Sequence, residues 1–288
     1  MNLNMTSWAI QILNGISLGM LLFLVASGFT LIFGLMGILN LSHGTFYLLA
    51  GYIAASLMSY TNSFVLTVFA AMFAIGILGM VIHQRLLRYT TDHLAQALLT
   101  IGIAMFLGDL SISVWGGYPL MLRKPAWFQG SFQIAGGISF PSYRLLVILV
   151  GLIVAAFLWW FHERSKYGAM IRAGVDDEEM ARAIGINTRL LTTLVFGLGA
   201  LLAGLAGAIG AAFLAVRPGY DMEILTLSLI VVVIGGMGSL AGAFVGALIV
   251  GVFDSLARIL FPGLSLFFMF GLMALILAVR PTGLFGKE

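Results

Sequence analysis

The first ionised side chain in this sequence is Arg85, and residues 1–84 contain no Asp, Glu, Lys or Arg. A helix that crosses a bilayer needs about 20 apolar residues, so this stretch has room for three crossings. Its interruptions fall at Gly34–His43 and Tyr60–Ser63. The remainder keeps the same bias: of 288 residues, 61% are hydrophobic and 9% charged. A soluble globule of this size still leaves roughly a quarter of its unfolded surface in water, which is too much for so apolar a chain. Lipid must be the solvent. That excludes a soluble enzyme, a disordered regulator and a nucleic-acid module. The net charge of +3 is read as loop charge that sets membrane orientation. With no cysteine there is no disulfide, thiolate ligand or cysteine nucleophile.

Further uncharged runs lie at 94–108, 145–161, 190–216, 224–253 and 259–279. The fourth is too long for one span, and Gly235-Gly236-Met237-Gly238-Ser239 divides it near 224–236 and 240–257. The first part is short enough for a half-helix or re-entrant piece. Such broken backbone is tolerated at membrane depth only where protein or water surrounds it. The expected fold is therefore an all-α polytopic membrane protein of nine segments, with eight as the alternative, in a single domain over 1–288. No basic segment precedes the first apolar run, so no cleaved signal peptide is expected.

Lys and Arg asymmetry orients the bundle. With the N-terminus outside and the C-terminus inside, the inner loops 85–93, 163–189 and 280–288 hold nine basic residues, among them Arg85, Arg172 and Lys287, against five outside. Small residues recur at four-residue spacing: Gly15 and Gly19; Gly238, Gly242 and Gly246; Ala203, Gly207 and Ala211. In lipid this spacing lets helix backbones approach closely. Gly34-Leu35-Met36-Gly37-Ile38-Leu39 is echoed by Gly235-Gly236-Met237-Gly238-Ser239-Leu240. Interrupted segments in repeated positions are common beside transport paths.

The segment Glu163–Arg189 is the densest in charge. Within it, Asp176-Asp177-Glu178-Glu179-Met180-Ala181-Arg182-Ala183-Ile184-Gly185-Ile186-Asn187 reads as a helix of about two turns. Asp176 is expected to cap it, with Glu179 completing a capping box. Four carboxylates suit the positive pole of the helix dipole, Arg182 the negative pole, and Gly185 a left-handed stop. Met180 and Ile184 share one face. An acid-started helix on the inner side is a handle for a soluble partner.

Polar residues in hydrocarbon are costly and face an interior or a water-filled path. Asn14, Asn40, Ser42, His43 and Ser239 are the candidates for lining a path. Gly34, Gly37, Gly235, Gly236, Gly238 and Gly242 are the candidates for helix breaks and packing. Asp254 and Arg258, four apart, are expected to neutralise each other. Asp109 is placed near the outer boundary, and Trp115, Tyr118, Trp127 and Tyr143 form an interfacial belt. Only Asp109 and Asp254 are counted as intramembrane carboxylates. There is no G-x-x-x-x-G-K-[ST] loop, because Gly286-Lys287 is followed by Glu288, and no H-E-x-x-H. Neither ATP hydrolysis nor a catalytic metal is expected of this chain.

The run Arg172–Asn187, followed by the Gly- and Ala-rich Leu194–Ala212, resembles the permease of high-affinity branched-chain amino acid ABC importers. That family's E-x-x-A-x-x-x-G-I-N coupling motif is matched by Glu178 or Glu179, Ala181, Gly185, Ile186 and Asn187. Asn40-Leu41-Ser42-His43-Gly44 resembles its N-L-A-H-G signature, with Ser42 in place of Ala. Gly235–Gly242 resembles its G-G-x-G-S-x-x-G signature. The likeness runs from about residue 8 to 285. It implies that Asp176, Asp177, Glu178, Glu179, Ala181, Arg182, Gly185, Ile186 and Asn187 couple to an ATPase. It also implies a multi-pass protein of the bacterial inner membrane, paired with a second homologous permease. Two cytoplasmic ABC ATPase subunits would carry the ATP and Mg, and a periplasmic binding protein would deliver the solute. This chain itself would hold no cofactor and bind no nucleic acid. The implied cargo is a branched-chain or related hydrophobic amino acid, with urea, short amides or aromatic acids as alternatives. The contrasting possibility is a stand-alone carrier driven by ions or protons.

Overall fold

A computed structural model describes residues 5–90, 92–134 and 138–286. Lys287, counted above with the inner charges, lies outside the described residues, as does Glu288. Among the described residues, apolar helices cover the runs read from the sequence: α1 (Met5–Met36), α2 (His43–Thr61), α3 (Phe64–Arg85), α4 (His93–Trp115), α5 (Ser142–Arg164), α8 (Thr188–Gly210), α9 (Tyr220–Gly235), α10 (Leu240–Leu260) and α11 (Ser265–Val279). The charged loop holds α6 (Lys166–Asp176) and α7 (Glu178–Ala183). Six helices, α1, α3, α4, α5, α8 and α10, are long and apolar enough to cross a membrane. The fold is an all-α polytopic membrane protein with one exception. The loop before α5 carries a hairpin, β1 (Ser131–Ile134) and β2 (Ile138–Pro141), in which Phe132 pairs with Phe140.

The core is built from helices that touch backbone to backbone. α1 packs most extensively on α10 and α3 on α8, and α8 also lies against α1 and α2. A Cβ added at Gly19 would come within 2.7 Å of the Ala247 carbonyl oxygen, and one at Gly246 within 2.7 Å of that of Val231. Gly15 meets Val252, and Gly207 meets the Tyr47 carbonyl. With no hydrophobic driving force between helices in lipid, such close approach supplies the dispersion contacts that hold the bundle.

Two helix pairs are discontinuous. α1, at 32 residues, is about 48 Å long and overshoots a hydrocarbon core of about 30 Å. It ends at Met36, where Gly37 turns left-handed at φ +63°. The chain then doubles back, and the first residue of α2, His43, bonds the carbonyl of Val25 at 3.0 Å. That carbonyl lies eleven residues, about 16 Å, before the end of α1. α2 thus begins inside the bundle. α9 likewise begins inside it, with Asp221 against Thr45 of α2. It ends at Gly235, followed by Gly236 and Gly238 at φ +100° and +83°. The tail closes this end: the N–H groups of Leu284 and Phe285 bond the carbonyls of Ile234 and Gly235, both at 2.9 Å.

Candidate functional site

Three features stand out at or near the end of the bundle that carries the charged loop. The first is the elbow α6–α7. Ser165 caps α6, its hydroxyl accepting from the Gly168 N–H at 2.9 Å. Asp176 does not cap α7. It is the last residue of α6, and Asp177 takes that position, accepting from the Met180 N–H at 2.9 Å. The expected pairing of Asp176 with Glu179 is therefore replaced by one that starts a residue later, because α6 continues through Asp176 and leaves Asp177 as the first extended residue. Glu178 and Glu179 fall in the first turn, at the positive end of the dipole. Arg182 pairs with Glu178 at 2.5 Å and also donates to the Thr188 hydroxyl at 2.9 Å.

α7 stops in a Schellman arrangement. Gly185 lies at φ +90°, its N–H bonds the Arg182 carbonyl, and the Ile186 N–H bonds that of Ala181, both at 3.0 Å. Asn187 then caps α8 at once, accepting from the Leu190 N–H at 3.0 Å. The capping role of Asn187 was not read from the sequence, though an Asn before an apolar run is the usual signal. Ala181 is buried, whereas Met180 and Ile184 are 59% and 68% exposed. The elbow thus pins one small residue to the bundle and turns its apolar stripe outward. Only residues 184–187 separate α7 from α8, and the stop of one helix and the cap of the other occupy them.

The second feature is the α1–α2 junction, where Asn40, Ser42 and His43 are all buried. The Asn40 amide oxygen accepts from the Ser42 hydroxyl at 2.6 Å and from its N–H at 3.2 Å. Thr100 of α4 receives the Leu41 N–H at 3.2 Å and donates to the Leu39 carbonyl at 3.3 Å. The unwound backbone is thereby paired within the protein, as hydrocarbon demands. The Asn40 Nδ2, His43 Nδ1 and Thr30 hydroxyl are buried with no hydrogen-bond partner among the described residues.

The third is a cleft of about 1050 Å³ lined by Thr30, Gly34, Trp159, Arg172, Ser239 and Phe244. Ser239 caps α10, accepting from the Gly242 N–H at 3.0 Å. Gly235 and Gly242 sit in direct backbone contact, and Gly236 packs on Phe285 and Gly286 of the tail. Ser239 and Gly37, where α1 ends, line this same cleft, whereas Asn40, Ser42 and His43 are not among its lining residues. Asn14 stands apart from both. It lies at the other end of α1, accepting from Arg144 and donating to Gln11 at 3.2 Å, and Gln11 in turn receives the Ser255 hydroxyl.

At that far end Arg258 bonds buried Asp254 at 2.6 Å, and also Glu223 at 3.0 Å. Glu223 is a third partner the sequence reading missed. Asp109 is exposed on α4. Tyr143 is not a belt residue: it is buried, and its hydroxyl donates to the Ile209 carbonyl at 2.7 Å. Tyr118 and Trp127 are exposed. The intramembrane carboxylates are not limited to Asp109 and Asp254, because Asp221 is buried against α2. Among the described residues no group of His, Cys, Asp or Glu is placed to hold a metal.

A lipid-dissolved bundle with discontinuous helices and a capped amphipathic elbow on one face defines a polytopic transport subunit. The chain belongs to the family described as branched-chain amino acid transport system / permease component, which matches residues 11–277. It is 27% identical to the high-affinity branched-chain amino acid transport system permease protein BraD of Pseudomonas aeruginosa, over 96% of this chain and 95% of that one. It is also 27% identical to LivH, the permease of that designation in Escherichia coli, with the same coverage. To LivM of the same organism it is 28% identical, over 93% of this chain and 68% of the relative. No solved structure matches.

Proposed function

We propose that this chain is one permease subunit of an ABC importer in a bacterial inner membrane, forming half the translocation path for branched-chain amino acids as a single domain over residues 1–288. The observation that carries this reading is the elbow. A two-turn helix capped at both ends, with Met180 and Ile184 exposed and Gly185 fixing its stop, offers a rigid knob for a cleft on an ATPase. The elbow end then faces the cytoplasm and the N-terminus the outside, in nine segments. Two lines support this: the surplus of Lys and Arg on that side, and the gathering of α1's end, His93, the elbow and the tail at one end of the bundle. ATP and Mg would reside on two partner ATPases. A periplasmic binding protein would supply the solute, and a second permease would complete the path. The two distinct relatives in Escherichia coli, LivH and LivM, support a heteromeric pair.

Co-purification of the ATPase subunits with this permease tests the reading. Gly185→Trp and the pair Glu178→Lys/Glu179→Lys are expected to abolish it while the permease still reaches the membrane. ATPase association that survives both changes would remove the elbow from the coupling role.

A further inference from the structure

Two buried carboxylates in this bundle are treated differently. Asp254 is neutralised by Arg258 at 2.6 Å. Asp221, only 8% exposed, has no ion pair among the described residues, and its one side-chain partner is the Thr45 hydroxyl at 3.3 Å. A charge inside a membrane protein that no protein cation answers marks a binding or transport group by default. Its place in the first turn of α9 offsets part of the cost through the helix dipole, but supplies no counter-charge.

The polar groups near the carboxylate are hydroxyls, each able to accept as well as donate. Tyr52 lies two turns beyond Thr45 on the same face of α2, and helical side chains lean toward the N-terminus, here back toward Thr45. Its hydroxyl is buried with no hydrogen-bond partner among the described residues. The Tyr52 ring is held by stacking on Trp115 at 5.2 Å, and Trp115 is tethered to the Ser56 hydroxyl at 2.5 Å. Across from the carboxylate, α4 presents Gly108. A Cβ placed there would meet only the Asp221 Oδ2, at 3.9 Å, so the space beside that oxygen is open.

We propose that Asp221, the Tyr52 hydroxyl and Thr45 form a seat between α2, α4 and α9 for a primary ammonium group, that of the amino acid in transit. A primary ammonium has three donors and no acceptor. The carboxylate, the phenol oxygen and the Thr45 oxygen supply three acceptors and the missing charge. Because the seat joins the first turns of the two discontinuous helices, its occupancy would tie them together. This inference rests on the amino acid importer reading.

The test uses the complete importer in proteoliposomes, with L-leucine and its binding protein, and follows both uptake and binding-protein-stimulated ATP hydrolysis. Asp221→Asn is expected to lower uptake at least tenfold while ATP hydrolysis stays within twofold. Thr45→Val, which keeps the carboxylate, is expected to cost less than Asp221→Asn. Uptake within twofold of wild type for Asp221→Asn would overturn the proposal, as would a parallel fall in uptake, hydrolysis and thermal stability, the mark of a merely structural cap. Should Asp221→Asn fail to assemble, Gly108→Leu decides. It adds bulk on the α4 side of the carboxylate, where a Cβ would already stand 3.9 Å from Oδ2, and wild-type uptake in that variant overturns the seat. A wild-type complex that moves no amino acid at all sinks the importer reading itself.

Discussion

Gly34 and Gly238 face each other so closely that a Cβ on Gly34 would stand 3.4 Å from the Gly238 Cα. These two glycines come from the two halves of the internal echo, Gly34–Leu39 and Gly235–Leu240. The corresponding positions Gly37 and Gly238 are both left-handed, at φ +63° and +83°. The two breaks share a left-handed glycine at this position, though α1 stays helical through Leu35 and Met36 where Gly236 already turns, and they meet at one end of the bundle.

The contact predicts a graded response. Ordinary van der Waals distance at Gly34 admits one methyl, so Gly34→Ala is expected to leave thermal unfolding in detergent nearly unchanged. Gly34→Leu overpacks the junction and is expected to cost about 1–3 kcal/mol. Gly238→Val adds a β-branched residue at positive φ, with a strain of about 1–3 kcal/mol. Equal melting temperatures for all three would refute the packing described.

The register of α7 predicts an asymmetry between neighbours. Asp177→Ala removes the cap and is expected to cost about 1 kcal/mol locally. Asp176→Ala, at the exposed end of α6, should cost less than half of that. Hydrogen exchange at the amides of Met180 and Ala181 reads the difference. Faster exchange for Asp176→Ala than for Asp177→Ala would restore the register read from sequence.

The left-handed stop predicts which replacements Gly185 accepts. Asn enters that conformation readily and Val does not. Gly185→Asn is expected to keep ATPase co-purification near wild type, and Gly185→Val to lose most of it. The same loss in both would mean that size, not backbone conformation, governs the position.

Arg258 answers a carboxylate buried at 1% exposure. Removing the cation alone, in Arg258→Ala, leaves that charge unpaired and is expected to cost less than the ~3–5 kcal/mol of a fully buried pair, because Arg258 is half exposed. Adding Asp254→Asn to the same chain is expected to recover most of the loss. Chemical or thermal unfolding of the four-member cycle measures the coupling, and strict additivity would deny the pairing.

Breaks at Gly34–His43 and Gly235–Ser239 were legible because glycine, a backbone signal, stands where the chain must turn left-handed. Helix α6 was not. Lys166–Asp176 has no membrane-length apolar run, and its marks were the Ser165 cap, three residues before Gly168, and a short apolar stripe of Tyr167, Met170, Ile171 and Val175 inside a charged loop. Asp221 was hidden for a different reason. It lies beside Arg217 and Glu223, in what reads as a hydrated loop, and only the descent of residues 211–219 into the bundle brings it to Thr45. Tyr143 was misread likewise, because an aromatic near a helix start suggests an interface until a distant carbonyl, that of Ile209, claims its hydroxyl. Local chemistry set the elements; contacts between residues far apart in sequence set the polar interior.

The direct join between α7 and α8 has a mechanical consequence. α8 has 23 residues and is therefore about 34 Å long. Tilting such a rod by about 10° around its capped base at Asn187 sweeps its far tip by about 6 Å. Because α8 is packed against α1, α2 and α3, such a lean would carry those neighbours with it and pull on the far end, where Ala211 holds the Leu122 N–H at 2.9 Å and Val216 is bridged to Leu120. A push on the elbow would thus be felt, along α8, at the ties that hold the opposite end of the bundle.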